Sequence, residues 1–137
     1  MPRVHIYSFS YPRTGVPADP WGHGGGFVFD CRLLPNPGRL EKFVSQTGYD
    51  PEVREYFEER ADVDVFLRAV ATVVDMAIAA YERRGYEHLS VAFGCTGGQH
   101  RSVYCARWLS ERLEADHQAV TIADLALGDQ ITESSRA

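Results

Sequence analysis

Leu89-Ser90-Val91-Ala92-Phe93-Gly94-Cys95-Thr96-Gly97-Gly98-Gln99-His100-Arg101-Ser102 is the run that decides the fold. Leu89 to Phe93 is an apolar stretch of strand length, and Val103 to Leu113 continues with helical spacing of its apolar residues. A strand, a glycine-rich turn and a helix start form an anion cradle, because free backbone N–H groups and the helix dipole converge there. His100 and Arg101 add side-chain donors to the same place. The expected ligand group is a phosphate, held by Thr96, Gly97, Gly98, Gln99, His100, Arg101 and Ser102.

Outward from this run, strands alternate with helices. Val4 to Phe9, Phe27 to Cys31 and Ala119 to Ile122 read as further strands, from their β-branched and aromatic content. A short helix is expected over Leu40 to Gln46. Asp50-Pro51-Glu52 reads as a second helix start, with Asp as N-cap and Pro in the first turn, and Val53, Tyr56 and Phe57 facing inward. The longest helix is expected from Asp62 to Arg84. Phe66, Val70, Val73, Ala77 and Tyr81 recur there at threes and fours, and Gly85 suits a left-handed cap. Ser102 to Ala115 is the last helix, with Cys105, Ala106, Leu109 and Leu113 on one face. The pattern predicts an α/β domain over 1–127 with a small, mainly parallel, Rossmann-like sheet flanked by helices, and a polar, frayed tail over 128–137. Ligands of such sheets sit at the carboxyl ends of the strands. The loops Ser10 to Gly26, Arg32 to Gly38 and Cys95 to Ser102 can meet there.

The chain has 137 residues, is 45% apolar and carries a formal charge of -5, which fits one globular domain and argues against a strongly basic surface. Only Lys42 is lysine, so 13 of the 14 basic residues are arginine; that skew reflects composition more often than function. The three cysteines, Cys31, Cys95 and Cys105, lack metal-type spacing, and His5, His88 and His117 lack it too. Neither a metal nor a cofactor is expected. Without a signal-peptide pattern or a run of the roughly 20 apolar residues a bilayer needs, the expectation is a reduced, cytoplasmic protein with no membrane contact.

The loop fails the Walker A pattern, because Gln99, His100 and Arg101 stand where Gly, Lys and Ser or Thr are needed. It does contain Cys95-x5-Arg101-Ser102, which resembles the phosphate loop of cysteine-dependent phosphatases. There a thiolate attacks phosphorus while the arginine grips two oxygens, and a helix N-terminus favours the thiolate. The histidine usual before that cysteine is Gly94 here, and no general acid is marked among Asp19, Asp30 and Asp50. Binding, with Cys95 a small buried residue beneath the loop, is therefore preferred to catalysis. At the end of the second strand Arg32 suits an anion and Asp30 a sugar hydroxyl or amine; a structural ion pair is the alternative, and both stay open. Arg13 in the first loop is a further candidate ligand contact. His23, among glycines, reads either as part of a mobile cover or as plain exposed loop. Trp21 and Trp108 read as packing residues.

With the loop goes a second set, Phe29-Asp30-Cys31-Arg32-Leu33-Leu34-Pro35-Asn36-Pro37, together with Ser8-Phe9, Gly15, Pro17 and Thr47-Gly48-Tyr49-Asp50. In these residues the chain resembles the C-terminal domain of the RapZ family of RNase adapters, from about Ile6 to Leu113. The resemblance implies an α/β fold similar to phosphofructokinase and a site for glucosamine-6-phosphate. It also implies contacts with a small regulatory RNA and an endonuclease. Thr96, Gly97, Gly98, His100 and Arg101 match the phosphate loop, and Asp30 and Arg32 match the family pattern. The family's N-terminal kinase-like domain has no counterpart in these residues. Arg13-Thr14 stands in place of a lysine-histidine pair, and the first loop is longer around Gly22 to Gly26. Asp124-Leu125-Ala126-Leu127-Gly128-Asp129-Gln130 replaces a basic stretch, which weighs against RNA, since phosphate-backbone affinity rests on clustered Lys and Arg. The expected partner is a phosphorylated small molecule; a protein partner or a homo-oligomer stays open.

Overall fold

The computed structural model describes residues 1–22 and 26–127. His23 and the tail from Gly128 lie outside the described residues. Four strands, β1 (Arg3–Ser10), β2 (Phe27–Asp30), β3 (His88–Cys95) and β4 (Val120–Asp124), form one sheet in the order β2-β3-β1-β4. Every pairing is parallel, with Ile6 opposite Val91 and Ile122, and Asp30 opposite Gly94. Three helices accompany it: α1 (Pro51–Glu58), α2 (Ala61–Arg84) and α3 (Arg101–Ala115).

Alternation along the strands sets the two faces of the sheet. Val4, Ile6, Leu89, Val91, Phe93, Val120 and Ile122 form one buried cluster with Cys105, Leu109 and Leu113 of α3 and Val63, Leu67, Val70 and Val74 of α2. Each such side chain contributes about 1.5–3 kcal/mol on burial, so this face dominates the stability. The other face carries His5, Tyr7, Ser90 and Ala92. There Trp21 of the first loop stacks on His5 and His88, with ring centroids 4.1 and 4.2 Å away, and Ser90 donates to Asp19. The first loop and α3 thus leave the adjacent strands β1 and β3 on opposite faces, which opens the carboxyl edge between them.

Four expectations are corrected. Residues 40–46 form no α-helix: a 3-10 turn covers only Glu41–Phe43, because Phe43 alone is buried while Leu40 and Val44 are exposed. The second strand stops at Asp30, since its carboxylate accepts from Arg32 N–H at 2.9 Å and starts a 3-10 turn at Cys31. Asp50 does not cap α1 with its side chain; the carboxylate turns back to accept from Thr47 N–H at 2.6 Å. In α2 the buried stripe is Val63, Leu67, Val70, Ala71 and Val74, so Val73 faces solvent and Phe66, Ala77 and Tyr81 lie on the flank of the stripe. Gly85 ends α2 in the left-handed region, at φ 76°, as expected.

Candidate functional site

The site grows from the end of β3. Gly94 presses against the ring of Phe9, where a Cβ would collide, so the position before Cys95 has no room for a side chain. Beyond Cys95 the chain bends through residues 96–100 and enters α3 at Arg101. Gly98 takes φ +67°, and a Cβ there would lie 2.6 Å from Cβ of Ala126. Its N–H donates to Cys95 Sγ at 3.2 Å, while that thiol sits 3.2 Å from Ser102 Oγ. Ser10 Oγ donates to the Thr96 carbonyl at 2.6 Å, which fastens the loop to β1.

The two donors expected from the sequence are fixed by the neighbouring turns. His100 is buried, and its Nε2 lies 2.8 Å from the Phe43 carbonyl. The carbonyl can only accept, so Nε2 carries a proton there and Nδ1 is left on the side of Gly38. Arg101 is only 6% exposed; its Nη1 donates to the Arg32 and Leu34 carbonyls at 3.1 and 3.2 Å. Its Nε is buried and has no hydrogen-bond partner among the described residues. Gln99 Nε2 donates to the Val44 and Gln46 carbonyls at 2.7 and 2.6 Å, and the Gly48 N–H donates to the Gln99 carbonyl at 2.9 Å.

These contacts enclose a cavity of about 290 Å³ lined by Asn36, Gly38, Val44, Cys95, Thr96, Gly97, Gln99, His100 and Arg101. The structure thus brings five of the seven loop candidates to one cavity. Gly98 and Ser102 lie behind it, holding Cys95. Arg13 is not on its wall: the guanidinium donates to the Gly97 carbonyl at 2.9 Å and the Ala126 carbonyl at 3.3 Å, bracing the loop from outside. Asp30 and Arg32 are not on its wall either. They form a two-point ion pair, Nε to Oδ1 at 2.9 Å and Nη2 to Oδ2 at 2.8 Å, with Arg32 over the Tyr11 ring. The Arg32 hydrogen bond holds the Asp30 carboxyl below its usual range. Asn36 and Gly38 were legible only as part of the stretch Pro35-Asn36-Pro37-Gly38, and Val44 gave no signal.

Sequence reasoning also missed the support behind the loop. Asp124, fully buried at the end of β4, accepts from Ser8 Oγ at 2.6 Å and from the Tyr49 hydroxyl. It is a fixed interior acceptor and not the surface acid its neighbours in sequence suggest. A second cavity of about 290 Å³ lies between α3 and β4, lined by Tyr49, Arg107, Ser110, Glu111, Glu114, Val120 and Ile122. It holds no part of the glycine loop. Among the described residues, no helix is long and apolar enough to cross a membrane, and no group of three or more His, Cys, Asp or Glu could hold a metal.

The model of the RapZ C-terminal domain matches residues 2–127. A protein of Thermotoga neapolitana called a nucleotide-binding protein is 41% identical over 113 residues, covering 82% of this chain and 38% of the relative. Proteins of the same name from Bacillus pumilus and Xylella fastidiosa are 39% and 43% identical, over 83% and 75% of this chain and 37% and 33% of theirs. The chain therefore spans 33–38% of the length of these three curated relatives.

Proposed function

The chain belongs to the RapZ C-terminal domain family, and we propose that residues 1–127 form a single binding module for a phosphorylated small molecule, a phosphosugar such as glucosamine-6-phosphate. The phosphate would sit in the cavity of the Cys95–Ser102 loop, facing the N-terminus of α3. One observation carries this reading: a buried arginine on the wall of that cavity keeps an unpartnered Nε. Burying a donor without a partner costs about 1–3 kcal/mol, and a ligand oxygen would recover it.

The nature of the wall supports a sugar over a nucleobase. Its polar groups, Asn36, Thr96, Gln99 and His100, suit hydroxyls and an amine, and no Phe, Tyr or Trp stands among its residues to stack a base. The relatives' name speaks of nucleotides, which offer the same phosphate chemistry to such a loop. Asp30 and Arg32 would contribute only by exchanging their mutual pairing for the ligand, and Arg13 by holding the Gly97 carbonyl. Their positions favour supporting roles. RNA is disfavoured, since Arg101 is buried, Arg13 and Arg32 are engaged, and Arg3 begins β1 at the amino end of the strands, away from the loop.

Calorimetry with glucosamine-6-phosphate, inorganic phosphate and a nucleoside monophosphate tests the reading. It expects binding in that order of strength, with the nucleotide no tighter than phosphate. A nucleotide that binds most tightly would replace the sugar reading, and no binding of any of the three would remove both.

A further inference from the structure

The three cysteines occupy different environments. Cys31 and Cys105 are fully buried and border none of the cavities described. The Cys31 thiol is pushed well up, first by burial and then by its hydrogen bond with Cys105, so it is a poor nucleophile. Cys95 differs. It is 2% exposed, and what access it has is through the loop cavity, whose wall it shares with Arg101. Its sulfur meets the Gly98 N–H and the Ser102 hydroxyl, both able to donate to a thiolate. The unpartnered, buried Nε of Arg101 on the same wall points independently to an anionic occupant.

We propose that Cys95 is a modifiable thiol, oxidised by hydrogen peroxide, and that its oxidation and phosphate occupancy of the cavity exclude one another. In the step, the Cys95 thiolate attacks one peroxide oxygen and the O–O bond breaks. That oxygen ends on sulfur as sulfenic acid, and hydroxide leaves and takes the thiol's proton as water. The added oxygen lies where a ligand oxygen would face the loop. The coupling rests on the phosphate-site reading above; the reactivity of Cys95 rests on the cavity alone. Because Cys95 is only 2% exposed, small reagents reach the sulfur and bulky aromatic disulfides do not.

The test uses the folded wild-type chain at neutral pH. Iodoacetamide, and separately hydrogen peroxide with dimedone to trap sulfenic acid, are followed by digestion and mass spectrometry. One adduct per chain, on Cys95, is expected with either reagent. Inorganic phosphate at ten times its dissociation constant should slow both reactions about tenfold, by occupying the cavity. Adducts first on Cys31 or Cys105, an unmodified chain, or Cys95 labelling indifferent to saturating phosphate would each overturn the proposal. The binding reading fails separately, if the reduced, unlabelled chain gives no heat with phosphate in calorimetry. A Cys95→Ser chain, checked by its circular dichroism, should take up neither reagent while its α/β spectrum persists.

Discussion

Arg101 joins the fold to the site. Its guanidinium supports two main-chain carbonyls of the 31–34 turn, while its buried Nε has no hydrogen-bond partner among the described residues. Arg101→Ala should weaken phosphosugar binding by about 1.5–3 kcal/mol, the worth of a charge-assisted hydrogen bond, and should also lower the melting temperature as the Arg32 and Leu34 carbonyls lose their donor. Gly97 separates the two effects. A Cβ there meets nothing within 4 Å, so Gly97→Val is tolerated by the fold while its branches crowd the loop where an anion would lie. Unchanged melting with binding lost is the outcome expected from paired calorimetry and thermal denaturation. If Gly97→Val binds like the parent, the ligand does not approach this loop.

At the scale of elements, the loop is held by what surrounds it. Gly48 packs so closely on the start of α3 that a Cβ would sit 2.5 Å from the Tyr104 N and 2.9 Å from the His100 carbonyl, which are hydrogen-bonded to each other. Gly48→Ala should therefore destabilise the chain by about 1–3 kcal/mol, the usual cost of overpacking, and a urea midpoint unchanged from the parent would contradict that. The strand, glycine turn and helix of 89–115 were legible in the sequence because apolar runs, glycines and helical spacing are local signals. So was the left-handed end of α2 at Gly85. The 40–46 segment was not, because its identity depends on carbonyls held by His100 and Gln99, more than 50 residues away in sequence. The same reason hid Val44 from the site. The Asp30–Arg32 pair illustrates the limit for charges: the two residues were legible as partners or as ligand contacts, and only their geometry favoured the first.

Across the whole molecule, the sheet is all-parallel, and such sheets are normally covered on both faces. Here the helices cover one face, and the first loop lays Trp21 over His5 and His88 on the other. Burial, followed by the charges of His88 and Arg3, lowers the His5 pKa to about 4, against an opposing pull from Asp19. The folded chain thus resists a proton that the unfolded chain accepts near pH 6.5. Stability is unaffected by His5 well above pH 6.5 and falls as the pH drops from there toward 4, because only the unfolded chain takes up the proton in that window. Urea unfolding across this window should show the loss, and His5→Gln should flatten it; equal slopes in both chains would assign the loss elsewhere. On the proposed function the glycine loop, and not the cavity between α3 and β4, receives the ligand. The most direct measurement is a titration of glucosamine-6-phosphate into the ¹⁵N-labelled chain, followed by amide shifts. Saturable shifts of Thr96, Gly97, Gln99 and His100 are predicted, with Ser110, Glu111 and Glu114 unmoved. Shifts confined to Ser110, Glu111 and Glu114, or none at the loop at millimolar ligand, would contradict it.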